Sequence, residues 1–142
     1  MAAGRSEPRI ADTMLDWRWT LPLARLALVS AYLVGGVTKL ADFSGAVAEQ
    51  AHFGMIPPAL WAVLTIAVEL TGSALILLQR KPWLGTGMLG VFTALAALKA
   101  DAFWTMAGAE RFAATNAFFE HFGLVAGFVL VAMLDRRTAK HD

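Results

Sequence analysis

The sequence predicts an all-α membrane protein: a bundle of four transmembrane helices, with a short interfacial helix between the first and second. Three observations carry that prediction. Apolar residues make up 58% of the chain and charged residues 16%, where soluble domains carry roughly 45–50% and 25%. Four apolar runs, over about 21–40, 58–78, 83–104 and 116–134, match a hydrocarbon layer of about 30 Å. Prolines and charges punctuate the runs, and at 142 residues the chain is expected to form one domain, a membrane unit over 17–134 flanked by tails at 1–16 and 135–142.

Residues 1–16 carry Arg5, Glu7, Arg9, Asp12 and Asp16 with no apolar stretch before the first span, so the segment reads as a cytoplasmic tail and not as a cleavable signal. Trp17 and Trp19 suit the headgroup level, and Pro22 is tolerated in a first helical turn. The 41–55 segment is too polar to span; Phe43, Val47, Ala51 and Phe53 fall roughly along one face of a helix lying in the interface. Pro57 and Pro58 open the second span. Gln79, Arg80, Lys81 and Pro82 leave only a tight turn before the third, so spans two and three must be antiparallel neighbours. The 106–115 segment reads as a polar loop, and Asp135, Arg136 and Arg137 close the fourth span.

Basic residues outside the spans set the orientation. Arg5, Arg9, Arg18, Arg80, Lys81, Arg136, Arg137 and Lys140 fall on one side and Arg111 on the other. Both termini are therefore expected in the cytoplasm.

A carboxylate at bilayer depth needs protein or water around it and a partner. Glu69 sits mid-span, on a stripe with Thr65, Gly72 and Ser73. Arg25, Tyr32 and Lys39 are spaced by seven, which drifts only about 20° per step on a helix, so they share a face. Tyr32 is expected near the depth of Glu69 and Arg25 one to two turns towards the cytoplasm, which makes Arg25 or Tyr32 the expected partner. At the outer end Lys39, Asp101, Asn116, Glu120 and His121 are expected to converge as a ligand or quinone site. Lys99 lies about 160° from Asp101 on a helical wheel and is expected to snorkel outwards. Gly123 and Gly127 form a close-packing step. Each feature also has a structural reading: a buried pair can simply fix helix register, and Trp61, Trp83, Phe103 and Trp104 can be interfacial belt residues.

Net charge is +1 and the basic residues form no stripe, which argues against nucleic acid as a partner. The absence of cysteine excludes thiol relays, Cys-bound iron–sulfur clusters and c-type haem. His52, His121 and His141 do not sit at matching depths on facing spans, so no intrinsic haem is expected, and their spacing specifies no metal.

The residues so assembled resemble the DoxX family of small four-helix bacterial membrane proteins, with the likeness running from about Pro22 to Leu134. It is carried by Arg25, Gly35, Gly36 and Lys39, then Gly54, Pro57 and Pro58, Glu69 with Gly72, the Phe103–Trp104 pair, Phe119 and Gly127. Where the family often has a histidine two residues before the Phe–Trp pair and a Lys–Asn pair entering the fourth helix, this chain has Asp101, then Glu120 and His121. The outer cluster is thus more acidic than the family pattern, which favours a cationic, proton-handling or protein-docking role over anion binding. Members are linked to a quinone-reducing thiosulfate oxidoreductase and to membrane complexes that handle oxidative or thiol stress. The resemblance therefore implies an inner-membrane, redox-associated subunit with quinone as the candidate ligand and with protein partner subunits. A non-catalytic scaffold or assembly subunit is the alternative. A small carrier ranks below both, because the chain shows no inverted repeat or broken helix.

Overall fold

The computed structural model describes residues 10–138, so the expectations placed on Arg5, Glu7, Arg9, Lys140 and His141 lie outside the described residues. The elements are α1 (Ile10–Leu15), α2 (Thr20–Ala41), α3 (Phe43–His52), α4 (Pro58–Leu77), α5 (Pro82–Ala100), a 3₁₀ turn (Phe103–Thr105) and α6 (Gly108–Thr138), with no strand among the described residues. Four of them, α2, α4, α5 and α6, are long and apolar enough to cross a membrane. At 1.5 Å per residue α4 covers about 30 Å and α2 about 33 Å.

Chain chemistry sets the helix boundaries. Pro58 stands at the first position of α4 with extended Pro57 before it, where the missing N–H costs nothing. Gln79 and Lys81 take the left-handed conformation in the turn to α5. Asp42 caps α3 through its side chain.

The third span-length segment runs Pro82–Thr105, as expected, but its α-helix ends at Ala100, where Asp101 is the C-cap, and Phe103–Thr105 form a separate turn. The start of the fourth span is corrected. The fourth helix begins at Gly108 and runs on to Thr138, so the expected 106–115 loop is mostly helix. Glu110 in its first turn and Arg136 and Arg137 in its last complement the helix dipole. At about 46 Å it is longer than the hydrocarbon is thick.

In the bundle α4 packs between α2 and α5, α5 between α4 and α6, and α6 returns to touch α2, while α3 lies mainly on α4. Val29, Tyr32, Ile76, Leu89 and Phe128 form the core. The helices approach closely at glycines: a Cβ at Gly85 would stand 2.7 Å from the Gly72 carbonyl oxygen, and one at Gly36 would stand 2.7 Å from Leu70. In the expected step on α6 only Gly127 meets a neighbour, Leu28, whereas nothing lies within 4 Å of a Cβ at Gly123. Val34, Val63, Val91, Leu95 and Leu130 stay exposed on the outer faces, as lipid-facing positions do in a chain without water around its spans. The α3 helix is two-sided, with Ala46 and Gln50 buried against the bundle and Ser44 and Ala48 exposed on the far side.

Candidate functional site

Glu69 is paired with Lys39, not with Arg25 or Tyr32. The Lys39 ammonium lies 3.2 and 3.4 Å from the two carboxylate oxygens. Side chains on a helix lean towards its N-terminus, so Lys39 runs back along α2 over Gly35. A Cβ there would sit 3.4 Å from both Lys39 Nζ and Glu69 Oε1. Gly36 meets Leu70 and the Glu69 Cβ, so it is the glycine pair, one turn beyond Tyr32, that faces Glu69.

The expected partners bind elsewhere. Arg25 forms a buried ion pair with Asp135 of α6. Tyr32 shares a 2.5 Å hydrogen bond with Thr93 of α5, and its ring packs on Phe92 and Phe128. Because the Thr93 hydroxyl already donates to the Leu89 carbonyl at 2.6 Å, the Tyr32 hydroxyl is the donor to Thr93 Oγ1.

The outer cluster divides. His121 Nδ1 lies 2.8 Å from Asp101 Oδ2 and 2.8 Å from the Ala117 carbonyl oxygen. Both neighbours are acceptors, so Nδ1 carries the hydrogen in the neutral ring, directed at Ala117, and Nε2 is left as the acceptor. Asp101 Oδ2 is buried without an aligned donor. Asn116 and Glu120 are exposed on α6 and line no part of the cavity described next.

A cavity of about 1000 Å³ opens among the helices. Lys39, Glu69, Tyr32 and Thr65 line its polar part, and His121 enters from α6. Gln50 and Glu49 of α3 also line it, with Phe53 and Trp61 beside them. Leu64, Val68, Val91 and Leu95 form apolar wall between α4 and α5. Lys99 lines this cavity instead of snorkelling away. The wheel angle from Asp101 does not apply, since Asp101 is off the helix, and Lys99 follows Met88, Phe92 and Leu95 down one face.

The sequence reading missed Glu49 and Gln50, and gave Asp135 only as the end of the fourth span. For Gln50 the signal was the four-residue step from Ala46, which marks a strip of the helix beside the Phe43 stripe. Trp61 borders the cavity, whereas Phe103 and Trp104 stack with Phe118 on the outer part of α6.

Asp42, which is exposed, accepts hydrogen bonds of 2.9 Å from the Gly45 N–H and from the Ser44 hydroxyl. The Gly45 N–H first, then Ser44, holds its carboxyl below the usual carboxylate range. Among the described residues no group of three or more His, Cys, Asp or Glu side chains comes together.

No curated protein and no solved structure matches the chain. The DoxX family model matches residues 20–106, well over half of the sequence and the part that contains α2 to α5 with Lys39, Glu69 and Lys99, and on that match this multi-pass membrane protein belongs to the DoxX family.

Proposed function

We propose that this chain is a redox-associated subunit of the bacterial inner membrane, with both termini in the cytoplasm, and that its cavity admits the head group of a membrane quinone used by a partner oxidoreductase. The observation that carries this reading is the cavity's two-sided chemistry. Its volume of about 1000 Å³ is at the large end of ligand sites. Hydrocarbon side chains wall it between α4 and α5, and a charged floor faces inwards.

The residues fit such a ligand. Lys39 has three N–H donors, and its bonds to Glu69 leave at least one for a quinone oxygen. The Gln50 amide adds further donors, and His121 Nε2 accepts from a quinol hydroxyl. A bound quinone would supply electron-carrying capacity; this chain would orient its oxygens and keep water from them.

The test is a gentle-detergent purification of the natively expressed protein, with identification of co-purifying subunits and extraction of bound quinone. Stoichiometric redox subunits together with quinone are expected. Lys39→Met should reduce the extracted quinone severalfold while the subunits still co-purify. Recovery of the chain alone and free of quinone would sink the proposal.

A second reading has its own support. The ion pairs Arg25–Asp135 and Lys39–Glu69 both close inside the chain, as in a scaffold whose charges fix helix register. That reading expects partner subunits without quinone, and Glu69→Gln lowering stability while leaving the activity of the intact complex unchanged.

A further inference from the structure

The cavity has a neighbour. A shallow groove of about 370 Å³ runs between α5 and α6, walled by Trp83, Gly90, Ala94, Val125 and Val129. Its one hydroxyl, Thr86, already donates to the Pro82 and Trp83 carbonyls at 3.0 Å. Apart from the Trp83 indole the groove therefore offers hydrocarbon. Gly87 and Val91 line both the groove and the larger cavity.

Both shared residues are exposed on α5. At 100° per residue they lie between the cavity-facing Met88 and Leu95 on one side and the groove-facing Gly90 and Ala94 on the other. The two spaces thus flank one lipid-facing ridge and meet across it.

Gly87 has no internal reason to be glycine. Nothing lies within 4 Å of a Cβ built there, and its backbone is helical, unlike Gly54 and Gly108 with their positive φ. Gly72 and Gly85, by contrast, would clash at once. A helix-interior glycine costs roughly 0.5–1 kcal/mol relative to alanine. What the missing side chain leaves at Gly87 is a notch in the ridge where the cavity and the groove join.

We propose that the apolar tail of the cavity's ligand leaves through this notch and lies in the α5–α6 groove, so that the site selects amphiphiles with long, polyprenyl-like tails. The inference rests on the reading that the cavity takes a quinone. From Lys99 to Trp83 the continuous path along α5 is about 24 Å, enough for several isoprene units and far more than a head group needs. Gly87 is then a specificity-determining position that touches the tail and not the reacting oxygens.

The experiment uses the full chain in phosphatidylcholine nanodiscs, with tryptophan quenching as the readout and quinone expressed per lipid so that partitioning cancels. Probes are a quinone with a single-isoprene tail and one with a long polyprenyl tail. Wild type is expected to bind the long-tailed quinone severalfold more tightly, through van der Waals packing of the tail on the groove wall, since the tail leaves lipid and not water. Gly87→Leu should abolish that preference without lowering thermal stability. Ala94→Leu, which fills the groove away from the notch and lines no part of the cavity, should abolish it too while leaving short-tail affinity unchanged. If both variants keep the long-tail preference, the groove is an ordinary lipid seat and the proposal falls while the quinone reading stands. If neither quinone binds wild type, the quinone reading falls and the tail path with it.

Discussion

The Lys39 ammonium reaches the Glu69 carboxylate at 3.2 Å, with side-chain exposures of 17% and 7%, by passing back over Gly35. Removing one partner of such a pair leaves the other charge uncompensated in a low-dielectric setting, which costs about 3–5 kcal/mol in fully buried cases. Because Lys39 keeps some exposure, Lys39→Met is expected near the lower end of that range. Lys39→Met combined with Glu69→Leu should recover much of the loss, since no lone charge remains. Unfolding of the four members of this double-mutant cycle in detergent checks it; additive losses would mean that the pair contributes no coupling.

Glycine substitutions should separate by where the Cβ points. At Gly85 it would meet the backbone oxygen of Gly72 at 2.7 Å, and backbone yields only if α4 and α5 move apart. Gly85→Ala is therefore expected to cost about 1–3 kcal/mol, as overpacking does. Gly123→Ala, with open space around it, should be neutral or gain up to about 1 kcal/mol from helix propensity. Thermal stability of the two variants in the same detergent is the comparison. Equal effects would show that the α4–α5 contact accommodates a Cβ at Gly85 as readily as the open space at Gly123 does.

The same residues show what could be read beforehand. Hydrocarbon-length apolar runs and prolines at helix starts are local signals, and they placed α2 and α4 to within a few residues. The heptad spacing of Arg25, Tyr32 and Lys39 correctly put them on an inward face. A helical wheel gives azimuth, however, and not the neighbour met at each depth. These three turn to α6, α5 and α4 respectively, because α2 borders both α4 and α6 and Tyr32 projects into the core between them. Nor does a wheel show how far a lysine travels along its own helix, which is why spacing alone puts Lys39 with the outer cluster and Arg25 or Tyr32 with Glu69. Asp101 shows a further limit: one residue past a helix end, angular bookkeeping fails, and with it the position of Lys99.

The Tyr32–Thr93 contact is directional, and its two halves should not be equally costly to remove. Tyr32→Phe deletes a donor while Thr93 keeps its bond to Leu89, so the expected loss is about 1 kcal/mol. Thr93→Val leaves the Tyr32 hydroxyl without its acceptor in a core closed by Phe92 and Phe128, at about 1–3 kcal/mol. A larger penalty for Tyr32→Phe would reverse the donor assignment. Unfolding midpoints of the single and double variants decide the matter.

The last prediction concerns the cap that holds α3 against the cavity. Asp42 binds the Gly45 N–H and the Ser44 hydroxyl as a carboxylate, and its carboxyl is accordingly held below the usual range. A carboxyl with a depressed folded-state value stabilises the fold at neutral pH, and the contribution is lost as pH falls through that value. Protonation then removes the charge that favours this helix N-terminus. Below about pH 4, where free aspartates titrate, α3 amides should exchange faster in wild type once rates are corrected for intrinsic chemistry. Asp42→Ala should show the faster exchange already at neutral pH and little further change on acidification, while Asp42→Asn keeps an acceptor and should fall between them. Because Gln50 and Glu49 reach the cavity from this helix, the capping variants should also weaken ligand retention at neutral pH. Unchanged α3 protection in Asp42→Ala would mean that packing of Ala46 and Gln50 on α4 holds the helix without its cap.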